Sequence, residues 1–136
     1  MEEVEVQIEV EVNPTEDEAK VKQAVENVFN SLQFELKPLK RGSLLTAKTK
    51  GMDGLTKLYN LLLRERIRDA ARSVMYKGMS GRSLVFYLNK QVAYAGHVSF
   101  SQPSGESPLG PIRVEIRCDD PRQIIDWLAP RTARLS

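Results

Sequence analysis

The chain has 136 residues, 41% of them hydrophobic and 28% charged, with a net charge of +2. That length suits one domain, residues 1–136, able to bury most of a core. No apolar run approaches the ~20 residues of a membrane span, and the acidic start is not the basic opening of a signal peptide. One cysteine, Cys118, excludes an intrachain disulfide and one histidine, His97, argues against a conventional zinc or triad site, so a cytoplasmic protein is expected.

The first run, VEVQIEVEV from Val4 to Val12, alternates strictly: valines and Ile8 share one face, glutamates and Gln7 the other. That is the pattern of a half-buried strand. In NPTE, Asn13 can cap, Pro14 suits the first helical position and Glu16 completes a capping-box spacing. Val21, Ala24, Val25, Val28, Phe29 and Leu32 then predict a helix from about Pro14 to Ser31. FELKPL and SLLTAKTK read as two strands joined by a turn at Lys40 to Gly42, with Pro38 marking an edge or a bend. Asp53 is a plausible cap for a second helix, Gly54 to Met75. Its apolar face is Leu55, Leu58, Tyr59, Leu62, Leu63, Ile67, Ala70 and Val74, and Lys57, Arg64, Arg68 and Arg72 lie opposite. Arg66 falls on the apolar side, where a guanidinium needs a partner, and Asp69 is the near candidate.

KGMSGR stops that helix. SLVFYLNKQVAYAGHVSF reads as a hairpin turning at Asn89-Lys90. A long connection rich in proline and glycine follows, with two readings: a structural arm, or a stiff binding loop presenting Glu106 and Ser107. IRVEIRC is a last strand, and Asp120 followed by Pro121 opens a short last helix before a frayed basic tail. The order β-α-β-β-α-β-β-β-α predicts an α+β two-layer sandwich, a mainly antiparallel sheet with helices packed on one face.

The net charge hides an asymmetry. Residues 1–36 carry a net of −8 and residues 37–136 a net of +10. Either the two regions neutralise each other across the fold or between subunits, or the protein has a basic face for a polyanion. Lys57, Arg64, Arg68 and Arg72 form a stripe that Lys48, Lys50, Lys77 and Arg82 could extend; such stripes track phosphates without reading bases. Phe86, Tyr87 and Tyr94 are the aromatics that could stack if they face solvent. Gly78 to Gly81 matches the Gly-x-x-Gly loop of KH domains, but a helix precedes it and a strand follows. It is read as a helix stop and turn with an accessory phosphate contact left open. SGESPLGP lacks a P-loop lysine. Cys118 is read as a small buried hydrophobe. An enzyme would need a pocket lined by His97, Glu106 and arginines. No motif calls for a metal, a cofactor or a small-molecule substrate, and no catalytic residue is assigned.

NPTE, RIRDAAR, FYLNKQVAYAGHVSF and GESPLGPI together resemble a family of short archaeal proteins labelled as predicted RNA-binding, over Val4 to about Ala129. The resemblance implies a fold like that of the large-subunit ribosomal protein that binds 5S ribosomal RNA, and a homodimer. The expected function is a non-enzymatic module for structured RNA, with Lys57, Arg64, Arg68, Arg72, Lys77 and Arg82 as the contact residues. The alternative is a homodimeric interaction or scaffold protein that binds no nucleic acid.

Overall fold

The computed structural model describes residues 3–103 and 110–131; Glu106, Ser107 and the tail beyond Arg131 lie outside the described residues. In chain order the elements are β1 (Glu5–Val12), α1 (Glu18–Val28), β2 (Gln33–Pro38), β3 (Ser43–Lys50), a 3-10 turn (Met52–Leu55), α2 (Thr56–Arg64), α3 (Arg68–Lys77), β4 (Met79–Ser80), β5 (Ser83–Asn89), α4 (Lys90–Tyr94), β6 (Pro111–Arg117) and α5 (Pro121–Leu128). The strands form one antiparallel sheet in the order β2-β3-β1-β6-β5-β4. Alternation buries one face of it. Val6, Ile8 and Val10 of β1 join Leu45 and Ala47 of β3, Ile112, Val114 and Ile116 of β6, and Leu84, Phe86 and Leu88 of β5. The helices supply the other half of the core through residues such as Val25, Leu58, Leu62, Met75 and Ile125. This is the expected α+β two-layer sandwich. No helix among the described residues is long and apolar enough to cross a membrane.

Two elements differ from the sequence expectation. The second helix is broken. At its break Arg66 N–H donates to Leu63 O and Ile67 N–H to Leu62 O, both at 3.2 Å, with Arg66 at φ 58°. This bond pair is a Schellman motif, with Arg66 in the left-handed position that glycine usually holds. The apolar spacing explains the break: Leu62 and Ile67 are five apart, and an unbroken helix would have driven Arg66 into the core. The turn instead leaves Arg66 exposed, so it needs no buried partner. The carboxylate of Glu65, just before the turn, accepts from Val98 N–H (3.3 Å) and meets His97 Nδ1 at 2.7 Å, tying the break to the segment after α4.

The second correction is the predicted hairpin after β5. Asn89 is not its turn but an N-cap, its side chain accepting from Val92 N–H at 2.9 Å, and Lys90 to Tyr94 are helical. The predicted return strand survives only as an isolated bridge between Leu88 and Phe100. Lys90 explains the change. Its side chain is 4% exposed, and its ammonium donates to Glu11 O (2.7 Å) and to both carboxylate oxygens of Glu16 (2.9 and 3.1 Å). A hairpin turn would have left that charge in water. Cap positions also shift. Asn13 and Glu16 close a turn ahead of α1, whose cap is Asp17. The 3-10 turn at Asp53 has no side-chain cap. Asp120 and Pro121 open α5 as expected.

Two outcomes follow for stability. Arg66→Gly should raise it by about 0.5 kcal/mol and Arg66→Val should lower it by about 1 kcal/mol, because only glycine enters the left-handed region freely; urea midpoints read both. Burial alone would raise the pKa of Glu16, but the Asn13 backbone N–H, the Lys90 ammonium and the Asn13 amide more than reverse this, so it titrates below the ordinary carboxylate value. A depressed folded pKa gives stability that is present above the unfolded value and lost as pH falls through the folded one. Acid should therefore destabilise the wild type more than Glu16→Gln. Lys90→Ala, which strands the carboxylate, should cost about 3 kcal/mol at neutral pH.

Candidate nucleic-acid interface

Charge on this fold is sorted by face. The solvent face of the sheet carries Glu5, Glu9 and Glu11 on β1 between two strands of opposite sign. Lys50 and Arg117 flank Glu5, and Arg113 flanks Glu9. Glu115 accepts from Arg117 Nε at 3.0 Å and from Arg113 at 3.3 Å. The Arg117 bond, then that of Arg113, holds its carboxyl below the usual range against the opposing effect of burial. Lys48 and Lys50 therefore belong to a charge-balanced sheet face and do not extend the helical stripe.

The helix layer is not balanced. Thr56 to Lys77 holds six cations and two carboxylates. The structure treats the predicted contact residues differently. Lys57 is tied to the end of α1: its Nζ donates to Glu26 O at 2.7 Å and its backbone N–H to Asn30 Oδ1 at 2.9 Å. Arg72 is a bracket between α3 and α5. Its guanidinium meets Asp126 Oδ1 at 2.8 Å and Ala129 O at 3.1 Å, and lies over the Tyr76 ring at 5.1 Å. Arg82 sits on the turn after β4, 3.9 Å from Asp119, with both side chains more than half exposed. The side chains of Arg64, Arg68 and Lys77 make no hydrogen bond or ion pair with any described residue; Arg64 and Lys77 are exposed and Arg68 half-buried.

The fold adds cations that the sequence reading did not place here. The Schellman turn sets exposed Arg66 between Arg64 and Arg68. An open groove of about 680 Å³ between α3 and α5 gathers Arg72 with Arg122 and Arg131, beside Tyr76 and Asp69. Arg122 and Arg131 lie fifty and fifty-nine residues beyond Arg72 along the chain, and helical spacing carries no signal of that meeting. Arg66 did leave a signal, as a charge misfitting an apolar stripe.

The other candidates resolve into structural roles. Gly78 ends α3, and a Cβ there would overlap the Val85 carbonyl oxygen. Gly81, at φ 60°, makes the turn into β5. The Gly-x-x-Gly spacing is thus a helix stop and a turn. Phe86 is core, Tyr87 is half-buried on the sheet face, and Tyr94 is exposed but stands near the acidic first turn of α1. Cys118 is buried, and burial raises its thiol pKa. His97 is an exposed tether to Glu65. Among the described residues no group of three His, Cys, Asp or Glu is arranged to hold a metal. Arg72→Ala should cost about 1–2 kcal/mol of stability, measured by thermal melting, because it removes charge-assisted bonds that hold α5 against α3.

Residues 5–118 match a family model described as RNA binding. The chain is 49% identical over 126 residues to a UPF0201 protein of Pyrobaculum aerophilum, covering 92% of this chain and 88% of that one. It is 46% identical over 130 residues to a UPF0201 protein of Thermococcus kodakarensis, covering 94% and 91%. The crystal structure of a UPF0201 protein from Methanococcus jannaschii is similar with a TM-score of 0.84 at 38% identity, over 95% of each chain.

Proposed function

The chain belongs to the archaeal UPF0201 family, and we propose that it is a non-enzymatic module for structured RNA that meets phosphates with one side of its helix layer. The contact residues in this reading are Lys57, Arg64, Arg68, Arg72, Lys77 and Arg82, with Arg66, Arg122 and Arg131 added. One observation carries it. Arg64, Arg68 and Lys77 have no partner among the described residues, on a segment where cations outnumber carboxylates three to one. Cations left unpaired while the sheet face is balanced are what a polyanion would neutralise. Recognition would rest on backbone shape and charge. The fold likeness to the ribosomal protein that binds 5S ribosomal RNA and the homodimeric state are parts of the same reading.

The test titrates the protein against labelled structured RNA and a double-stranded DNA control at low and near-physiological salt. Binding should weaken steeply with salt. The double variant Arg64→Glu, Arg68→Glu should bind roughly tenfold or more weakly at low salt, with a log–log salt slope shallower by about two. Lys48→Glu, on the balanced sheet face, should change neither. Absence of RNA binding at low salt, or indifference to the double variant, would overturn the reading in favour of the homodimeric scaffold.

A further inference from the structure

β2 is a six-residue edge strand, and its side chains are exposed at every position except the half-buried Phe34. Of the four exposed large apolar side chains among the described residues, two stand on or beside it, Leu36 at 41% and Leu39 at 44%. The direction of its backbone groups is fixed from both ends of the β2-β3-β1 ladder. Leu39 N–H donates to Gly42 O at 3.1 Å, and Gly51 N–H to Val4 O at 2.8 Å. Antiparallel bonding alternates residue by residue. Counted from either bond, Gln33, Glu35 and Lys37 bond to β3. The N–H and C=O of Phe34 and Leu36, and the C=O of Pro38, point outward. No described residue bonds to them. The opposite edge, β4, offers only two residues.

A row of outward donors and acceptors is a template for another strand, and the side chains select which strand. If β2 pairs antiparallel with itself, the outward residues Phe34, Leu36 and Pro38 must face one another, which leaves few registers. Centring the pairing on Glu35 sets two carboxylates face to face. Centring it on Lys37 sets two ammonium groups face to face. Centring it on Leu36 places Glu35 opposite Lys37 of the second copy, twice, on the solvent face of the sheet. It also places Leu36 against itself on the helix side, where each copy now exposes it. Phe34 N–H then meets Pro38 O, while the Phe34 C=O faces the proline nitrogen, which has no hydrogen to donate, so each end of the ladder makes one bond of the usual two and the Leu36 pair at the centre makes both. Glu35 and Lys37 make no ion pair with any described residue of their own chain.

We propose that β2 is the docking edge for a second copy of this chain, joined antiparallel about a two-fold axis at Leu36 into a continuous twelve-stranded sheet. This deepens the homodimeric part of the reading above and does not depend on RNA. The two-fold axis stands perpendicular to the sheet, so both helix layers, and both sets of free arginines, lie on the same side.

Sedimentation without RNA, together with a charge swap, tests it. The wild type should be a dimer at micromolar concentration. Glu35→Lys or Lys37→Glu alone turns two attractive cross-strand pairs into two repulsive ones and should weaken the dimer roughly tenfold. The double swap Glu35→Lys, Lys37→Glu should restore it. Both positions are exposed, and circular dichroism checks that each variant folds. As a second readout, Leu36→Cys should crosslink to its own copy on oxidation, because Cα atoms in a bonded antiparallel pair are about 5.5 Å apart, within disulfide reach. Lys40→Cys, in the turn, should not. A monomeric wild type, single swaps that dimerise as tightly as the wild type, or a double swap no tighter than the singles would each overturn the proposal. The Arg64→Glu, Arg68→Glu variant should dimerise normally, so failure of the RNA reading and failure of this edge are told apart.

Discussion

β1 is hydrogen-bonded on both sides, to β3 and to β6, and its pleat decides which face of all three strands is buried. Val6, Ile8 and Val10 point at the helices because every other residue does so, and a register slip of one residue would exchange them for Glu5, Gln7 and Glu9. Burying two carboxylates and an amide has no compensation in that core. The alternation therefore locks the registers of β3 and β6 and aligns Leu45, Ala47, Val114 and Ile116 with the same layer. It also has an electrostatic result. The glutamate face falls between Lys48 and Lys50 on one side and Arg113 and Arg117 on the other, so much of the acid excess of the first third of the chain is answered within the sheet.

Periodicity revealed the elements whose burial is local. β1, β3, β6 and α5 follow from alternation or from a cap and a proline, and both signals lie within a few neighbouring residues. The break at Arg66 was half-visible. The arginine misfits an unbroken helix, and the spacing from Leu62 to Ile67 is five, but a Schellman turn usually announces itself with glycine. The segment after Asn89 was illegible for another reason. Val92 and Tyr94 alternate as a strand would, while the residue that decides the matter, Lys90, is held by Glu11 and Glu16 from the far end of the sequence. A buried ion pair between residues so distant leaves no local pattern.

The same division applies to the candidate interface. The sequence shows where cations are dense, and the stripe from Lys57 to Lys77 is real as a composition. It does not show which of them are already spent. Lys57 closes the carbonyl end of α1, and Arg72 clasps α5, so both carry structural work that a helical wheel cannot display. Arg64, Arg68 and Lys77 remain unengaged. Arg122 and Arg131 join only through the packing of α5 on α3, a contact between segments with no sequence relation.

These distributions restrict how a polyanion could approach. The sheet face offers alternating signs at close range, which sum to little beyond a Debye length of about 10 Å. The start of α1 presents Asp17 and Glu18 and would repel phosphate. The break between α2 and α3 and the groove beside α5 are left, where cations are dense and several have no internal partner. The balanced charges on β2 have a different use. Glu35 and Lys37 are too few and too opposed to attract a polyanion, yet two residues apart on one strand they read their own copy, since reversal of the strand brings each to the other. One edge for self-recognition and one helix surface for phosphate can coexist because the charges that serve them lie on different layers of the sandwich.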